Sequence, residues 1–165
     1  MRKWVVRVFL LAALAGMGLW GWRAWFPGPD QAIRKRLAAL ARSASYAHEG
    51  EVARVYNSQV LGDFCAPDVR VEVDIPGLGQ QTMSGREEVR QAALMARSRV
   101  ASLSLQFVDV KVTVTPDQKS AVVNLTAKAR VPEERHVLAQ EFKLTFQKIG
   151  RDWLINRAES VKTLL

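Results

Sequence analysis

The spacing of apolar residues changes once along this chain, close to Val100. Before that point apolar residues mostly recur every three or four positions, which predicts helices; after it they alternate with polar residues, which predicts strands. Pro and Gly turns divide the alternating part into four predicted antiparallel strands, Leu103–Thr115, Ser120–Val131, Val137–Lys148 and Asp152–Val161. A meander of this length needs helices on one face to cover it, so the expected class is α+β.

Three helices and one strand precede the meander. The predicted segments are a helix from Asp30 to Gly50, a helix from Glu51 to Phe64, a strand from Val69 to Asp74 and a helix that begins after Ser84. Pro76–Gly79 is expected to be a loop. The second helix is expected to bury one face, which comprises Val52, Val55, Tyr56, Gln59, Val60 and Phe64.

The N-terminal residues have the pattern of a membrane segment. An uncharged run from Val8 to Trp22 follows three basic residues, and the stretch from Trp4 to Phe26 would span about 35 Å as a helix. That length crosses the roughly 30 Å hydrocarbon core of a bilayer, and tryptophans lie at both ends. We expect a retained anchor over residues 1–26, a linker over 27–30 and one domain over 31–165. The alternative is a signal peptide cleaved after Ala13-Leu14-Ala15.

The flanking charges predict an orientation. The short basic N-terminus should stay in the cytoplasm, which predicts a single-pass protein of the cell inner membrane with a periplasmic or otherwise extracytoplasmic C-terminal domain. Four basic residues soon after the segment are candidates for contact with anionic headgroups, namely Arg34, Lys35, Arg36 and Arg42. The alternative for these residues is an ordinary solvated helix face.

The charge distribution argues against nucleic acid as a partner. The formal net charge is +8, but residues 1–42 hold eight Lys or Arg side chains against one acidic side chain. The rest of the chain is nearly neutral, so it lacks the basic patch of a nucleic-acid binder. Cys65 is the only cysteine, which excludes a disulfide within the chain. No spacing of His, Cys, Asp or Glu points to a metal site, and we expect no cofactor.

Four short stretches together resemble one superfamily. They are His48–Glu51, Ala66–Val71, Ser84–Val89 and Gly150–Ile155, and they resemble the nuclear transport factor 2-like superfamily, including its SnoaL-like branch. The resemblance covers residues 31–163. It implies a cystatin-like cone, in which three helices pack on a curved, mainly antiparallel sheet. Members include isomerases, dehydratases, non-catalytic ligand binders and assembly modules, so the fold alone does not decide the function.

The resemblance also implies one catalytic candidate. Ketosteroid isomerases of this superfamily carry a general-base aspartate in a segment similar to the one around Asp74. Ser43 stands where those enzymes have a tyrosine, and Tyr46 lies one helical turn further on. The alternative is a surface or pocket-rim carboxylate, because Arg70, Glu72 and Asp74 share one side of the alternating pattern.

Several side chains could line a cavity in such a cone and hold a small molecule. The candidates are Tyr46, Tyr56, Phe64, Gln140, Phe142 and Trp153. Aromatic residues at these spacings also suit a plain hydrophobic core, whereas Gln140 is a polar residue on the apolar side of its strand.

Two function classes follow from these patterns. The first is a membrane-anchored binding or assembly module, a layout similar to that of a scaffold protein in type IV secretion systems. The second is a ligand-binding protein or an isomerase- or dehydratase-like enzyme with Asp74 as base. For the first class we expect the outer sheet face to pair with another protein or a second copy, through Leu103, Leu105, Phe107 and Val122.

Overall fold

The computed structural model of the protein describes residues 28–75, 79–132 and 137–161. Its helices are α1 (Pro29–Ala44), α2 (Glu51–Gly62) and α3 (Arg86–Arg99). Its strands are β1 (Tyr46–Ala47), β2 (Cys65–Ile75), β3 (Gly79–Ser84), β4 (Ser102–Val114), β5 (Ser120–Arg130), β6 (Leu138–Ile149) and β7 (Asp152–Ser160). The proposed anchor over residues 1–26 lies outside the described residues. Within the described ranges, no helix combines the length and the apolar character needed to cross a bilayer.

The strands form one sheet in the order β1-β4-β5-β6-β7-β2-β3. All neighbours are antiparallel except β2 and β7, which run parallel. The predicted α+β class and the four-strand meander are confirmed. Two details differ: α1 ends at Ala44, so that Tyr46 and Ala47 pair with β4, and the predicted loop after β2 leads into the additional strand β3.

The core lies between α1 and the concave face of the sheet. Ile33 and Leu37 of α1 are buried there, with strand side chains including Val69, Val123, Leu125, Leu144, Phe146, Trp153 and Ile155. Burying a side chain of this kind contributes about 1.5–3 kcal/mol. The concave face is therefore lined mainly by the protein's own apolar side chains.

A β-bulge in β4 changes which residues of this strand face the core. The register with β5 shifts between Val108 and Lys111, and Asp109 has φ +54°. Leu105 and Phe107 pack against the core before the bulge, and Val110, Val112 and Val114 do so after it. The prediction that Leu103, Leu105 and Phe107 face outward is therefore wrong, because the extra residue reverses the alternation and Leu103 shares the side of Leu105.

Helix α2 also turns a different face inward from the one predicted. Val52 is 85% exposed and Tyr56 65% exposed, whereas Ser58 and Gly62 are buried. A Cβ atom at Gly62 would collide with Nε of Arg90 on α3. Small side chains thus let α3 approach α2 closely, and that packing outweighs the apolar pattern that we expected to face the core.

Candidate functional site

Asp74 lies on the sheet face opposite the core. In β2, Val69 and Val71 pack into the core, and strand alternation puts Glu72 and Asp74 on the other face. Glu72 forms an ion pair with Arg157 on that face, with 3.3 Å between Oε1 of Glu72 and Nη2 of Arg157. The backbone N–H of Asp74 donates to Oγ of Ser160 over 2.9 Å. This position agrees with the surface alternative and not with a base inside the cone.

The six proposed pocket residues differ in burial and surroundings. Trp153 and Phe64 are buried and Phe142 packs against the core, but Tyr56 is exposed. Gln140 pairs with Ala127 on the core side of β6, as the alternation predicts, and its amide donates to the carbonyl of Val161 over 2.9 Å. None of the six lines any of the three clefts described below.

A buried arginine that the sequence analysis missed organises the end of α1. The Arg97 side chain is 1% exposed, and its guanidinium donates to Oε2 of Glu49 over 2.5 Å and to the carbonyl of Ser43. Its Cζ lies 4.5 Å from the centre of the Tyr46 ring. Asn57 donates to the other oxygen of Glu49 over 2.6 Å. The network joins all three helices, and its own contacts account for the position of Tyr46.

The sequence carried a signal for this network. Val89, Ala93 and Arg97 are spaced four residues apart, so Arg97 continues the inward face of α3. The network borders a cleft of about 360 Å³, which is lined by His48, Glu49, Arg54, Arg97, Ser98, Arg99, Val100 and Ala101.

Three further arginines surround the C-terminal end of α2. Arg36 donates to the carbonyl of Asp63 over 2.8 Å, and its Cζ lies 4.8 Å from the centre of the Phe64 ring. Arg90 pairs with Oδ1 of Asp63 over 2.9 Å, and Arg86 donates twice to the carbonyl of Cys65. Cations at a helix C-terminus are favourable because the free carbonyls there are the negative end of the helix dipole. These contacts account for the arginines as structural residues.

Cys65 is a buried thiol within this group. Burial raises its pKa to about 11, although Arg86, Arg36 and Arg90 act in the opposite direction. The thiol is therefore protonated near neutral pH and lacks the thiolate that a nucleophile or metal ligand requires. Within the described ranges, no group of three His, Cys, Asp or Glu residues is placed to hold a metal ion.

Three of the four predicted headgroup contacts share the exposed face of α1. Arg34, Lys35 and Arg42 are exposed, whereas Arg36 lies on the other side of the helix against α2. Arg34 pairs with Asp30 over 2.9 Å and donates to the carbonyl of Val110 over 3.1 Å. The basic face of α1 thus consists of Arg34, Lys35 and Arg42.

The basic face borders a cleft between α1 and β4, which we call the α1–β4 groove. Its volume is about 430 Å³. Its lining is mainly apolar, and it includes two arginines of α1, Arg34 and Arg42, which lie about two helical turns apart. The lining residues are Arg34, Leu37, Ala38, Ala41, Arg42, Leu105, Gln106, Phe107, Val108 and Val110. A third cleft, of about 460 Å³, is lined by Ser104, Gln106, Lys128, Arg130, Val137 and Ala139. Of the three, the α1–β4 groove has the apolar lining with few polar groups that is typical of binding sites.

Comparison with known proteins identifies the architecture. No family model matches the sequence, and no curated protein does. A candidate scytalone dehydratase from Novosphingobium aromaticivorans has a similar structure, with a TM-score of 0.62, 17% identity and coverage of 81% of this chain and 83% of that one. A nuclear transport factor 2-like protein with a cystatin-like fold from the same organism gives a TM-score of 0.63 at 15% identity, with 85% of each chain covered.

The described domain has the nuclear transport factor 2-like fold. A structure from Xanthomonas campestris, described as a candidate association domain of a calcium/calmodulin-dependent protein kinase II, has a TM-score of 0.53 at 18% identity, with coverage of 78% of this chain and 80% of that one. At these identities the likeness establishes the fold and transfers no residue role. The nuclear transport factor 2-like fold expected from the four sequence stretches is confirmed.

Proposed function

We propose that this protein is a membrane-anchored binding or assembly module whose domain lies outside the cytoplasm. The observation that carries the proposal is the location of Asp74. The carboxylate singled out by family resemblance faces away from a concave surface that apolar side chains line. General-base catalysis needs the base within hydrogen-bond reach of a bound substrate, so an isomerase-like role for Asp74 has less support.

Membrane attachment rests on the sequence of residues 1–26 and on the helix that follows. Helix α1 starts at Pro29, directly after the proposed anchor, and exposes Arg34, Lys35 and Arg42 on one side. Basic residues this close to an anchor are attracted to anionic headgroups, with about 1 kcal/mol for each charge near the surface. Arg36 is excluded from this role because its guanidinium is bound at the end of α2.

The outer sheet face is the proposed surface for a second copy. With the bulge taken into account, the central row on this face is Thr113, Val122 and Thr145, which are register neighbours on β4, β5 and β6. Anchoring in one membrane plane raises the effective concentration of identical domains, so a small interface of this kind could still be populated.

Fusion of alkaline phosphatase to the C-terminus tests the orientation, because the enzyme needs disulfides that form only outside the cytoplasm. We expect activity from the full chain and none from a chain lacking residues 1–26. The intact mass of membrane-extracted protein should include residues 1–26. An inactive full-length fusion would contradict export, and a mature N-terminus at Gly16 would contradict a retained anchor.

A further inference from the structure

Strand β4 forms an open edge over most of its length. Its partner on the outer side, β1, covers only Ser102 and Leu103. Beyond that point, the backbone N–H of Leu105 donates to Oγ of Ser45 over 2.9 Å. The peptide groups of Leu105 therefore point away from β5, and no strand of the described residues pairs with β4 there.

Strand alternation identifies the other peptide groups on this edge. Phe107 lies two residues after Leu105 and before the bulge, so its N–H and C=O point to the same side. At the other end, the N–H of Thr115 donates to the carbonyl of Ser120 on the β5 side. Counting back from Thr115, Val112 also directs its N–H and C=O to the open edge.

Helix α1 lies beside this edge and supplies its electrostatics. Arg34 donates a hydrogen bond to the carbonyl of Val110 at the bulge. One backbone acceptor on the open edge is therefore already bound by a side chain of α1. Arg42 is exposed and forms no ion pair with any described residue. Arg34 and Arg42 thus line the groove, Lys35 is exposed on the same helix, and Asp30 is the acidic residue of that helix.

We propose that the α1–β4 groove binds an extended acidic peptide segment of a partner protein, which adds to β4 as a strand. Main-chain hydrogen bonds to an open strand edge give affinity in this mode of recognition, and pockets for alternate side chains give specificity. Apolar side chains of the segment contact Leu37, Ala41 and Phe107, and its carboxylates pair with Arg42 and Lys35. A backbone N–H of the segment takes over the carbonyl of Val110 from Arg34.

The inference rests on the proposed binding role and adds a site and a partner chemistry to it. It uses only residues of α1 and β4, and it needs neither the anchor nor self-pairing. An inactive phosphatase fusion would therefore remove the proposed export and leave this site intact.

The probe is an acetylated and amidated nonapeptide in which Glu and Val alternate, with a Lys and Val nonapeptide as charge control. Titration uses the full chain in a zwitterionic detergent, followed by amide-resolved hydrogen exchange. We expect the acidic peptide to bind at least tenfold more tightly than the basic one. It should slow exchange at the amides of Phe107 and Val112 by tenfold or more, because both amides face the open edge.

Two variants and one control locate the site. Arg42→Glu removes a cation and Ala38→Trp fills the groove from an exposed helix position, so each should weaken binding at least tenfold. Lys143→Glu makes the same charge change on the outer sheet face and should leave binding unchanged.

Several results would overturn the proposal. One is that both peptides bind equally or that neither binds. Another is that the acidic peptide binds without slowing hydrogen exchange at the amides of Phe107 and Val112. A third is that these amides already exchange slowly before any peptide is added, which would mean that a second copy covers the edge. Loss of binding to anionic vesicles in Arg42→Glu, without any effect on the acidic peptide, would assign the basic face to lipid instead.

Discussion

Arg97 shows how one buried residue can hold three helices in place. Its guanidinium is enclosed, and it is matched by the carboxylate of Glu49 and the carbonyl of Ser43. We expect Arg97→Met to lower the free energy of unfolding by about 3–5 kcal/mol, because it leaves the buried Glu49 without its counter-charge. Urea unfolding measures the change. The double variant Arg97→Met with Glu49→Gln should recover part of the loss, and additive losses would argue against a coupled pair.

The effect of Gly62→Ala on the free energy of unfolding should depend on the side chain at position 90. A Cβ atom there would lie within 3 Å of three side-chain atoms of Arg90. Gly62→Ala should therefore destabilise the domain by about 1–3 kcal/mol, since Arg90 must move away from Asp63. In an Arg90→Ala background the same substitution should be neutral or stabilising by up to about 1 kcal/mol, because alanine favours helix. Thermal unfolding of the four chains gives this cycle, and an equal cost in both backgrounds would rule out the close contact.

The thiol of Cys65 gives the domain a pH dependence on the alkaline side. Burial raises its pKa from near 9 to about 11, so the folded chain holds this proton more tightly than the unfolded chain. This contribution to stability is complete below pH 9 and is lost as the pH rises toward 11, which amounts to about 2–3 kcal/mol. Denaturant unfolding at pH 8 and pH 11 should show a larger drop for the wild type than for Cys65→Ala. Equal drops would mean that the thiol titrates normally.

At the scale of single elements, the sequence of β4 contains a pattern that indicates its bulge. Leu103, Leu105 and Phe107 occupy odd positions, whereas the valines from Val108 to Val114 occupy even ones. Two phases of alternation within one strand indicate an inserted residue, and Asp109 is that residue. The prediction of outward-facing Leu103, Leu105 and Phe107 was wrong because it treated β4 as a regular strand without a bulge.

Because of the bulge, glycine should have opposite effects on the free energy of unfolding at Asp109 and at Lys111. Asp109 has a positive φ, which glycine adopts without the Cβ strain of other residues. Asp109→Gly should therefore raise the free energy of unfolding by roughly 0.5–1 kcal/mol, measured by urea titration. Lys111→Gly, in the regular part of the strand, should lower it by a similar amount. If both variants lose stability equally, Asp109 is not held in the left-handed region.

Helix α2 marks the limit of what periodicity could predict. Its existence and its start at Glu51 followed from the sequence, but its end at Gly62 and its orientation did not. Val52, Val55 and Tyr56 form the most apolar side, yet Ser58 and Gly62 are buried because α3 packs closely there. Which side of a short helix is covered depends on tertiary contacts, and the Arg97 network and the arginines around Asp63 are contacts of that kind.

At the scale of the whole molecule, the order of elements specified the fold, and the outer sheet face is where self-pairing would occur. We expect Val122→Glu to shift sedimentation of the full chain in detergent from dimer toward monomer, because it puts a charge at the centre of the proposed interface. Val52→Glu is the matched control on the exposed side of α2 and should not change the sedimentation. A wild-type chain that stays monomeric at high micromolar concentration would argue against self-pairing.

Strand β7, the last strand among the described residues, occupies an inner position in the sheet. Strand β7 lies between β6 and β2, and the N–H of Ile155 donates to the carbonyl of Phe64, about ninety residues earlier. Strands β2 and β3 therefore join the sheet only after β7 has been synthesised, whereas β1 pairs with β4 without it. A nascent or translocating chain that pauses before Asp152 exposes one unpaired edge on β2 and another on β6, so this interval is when the protein most needs a chaperone.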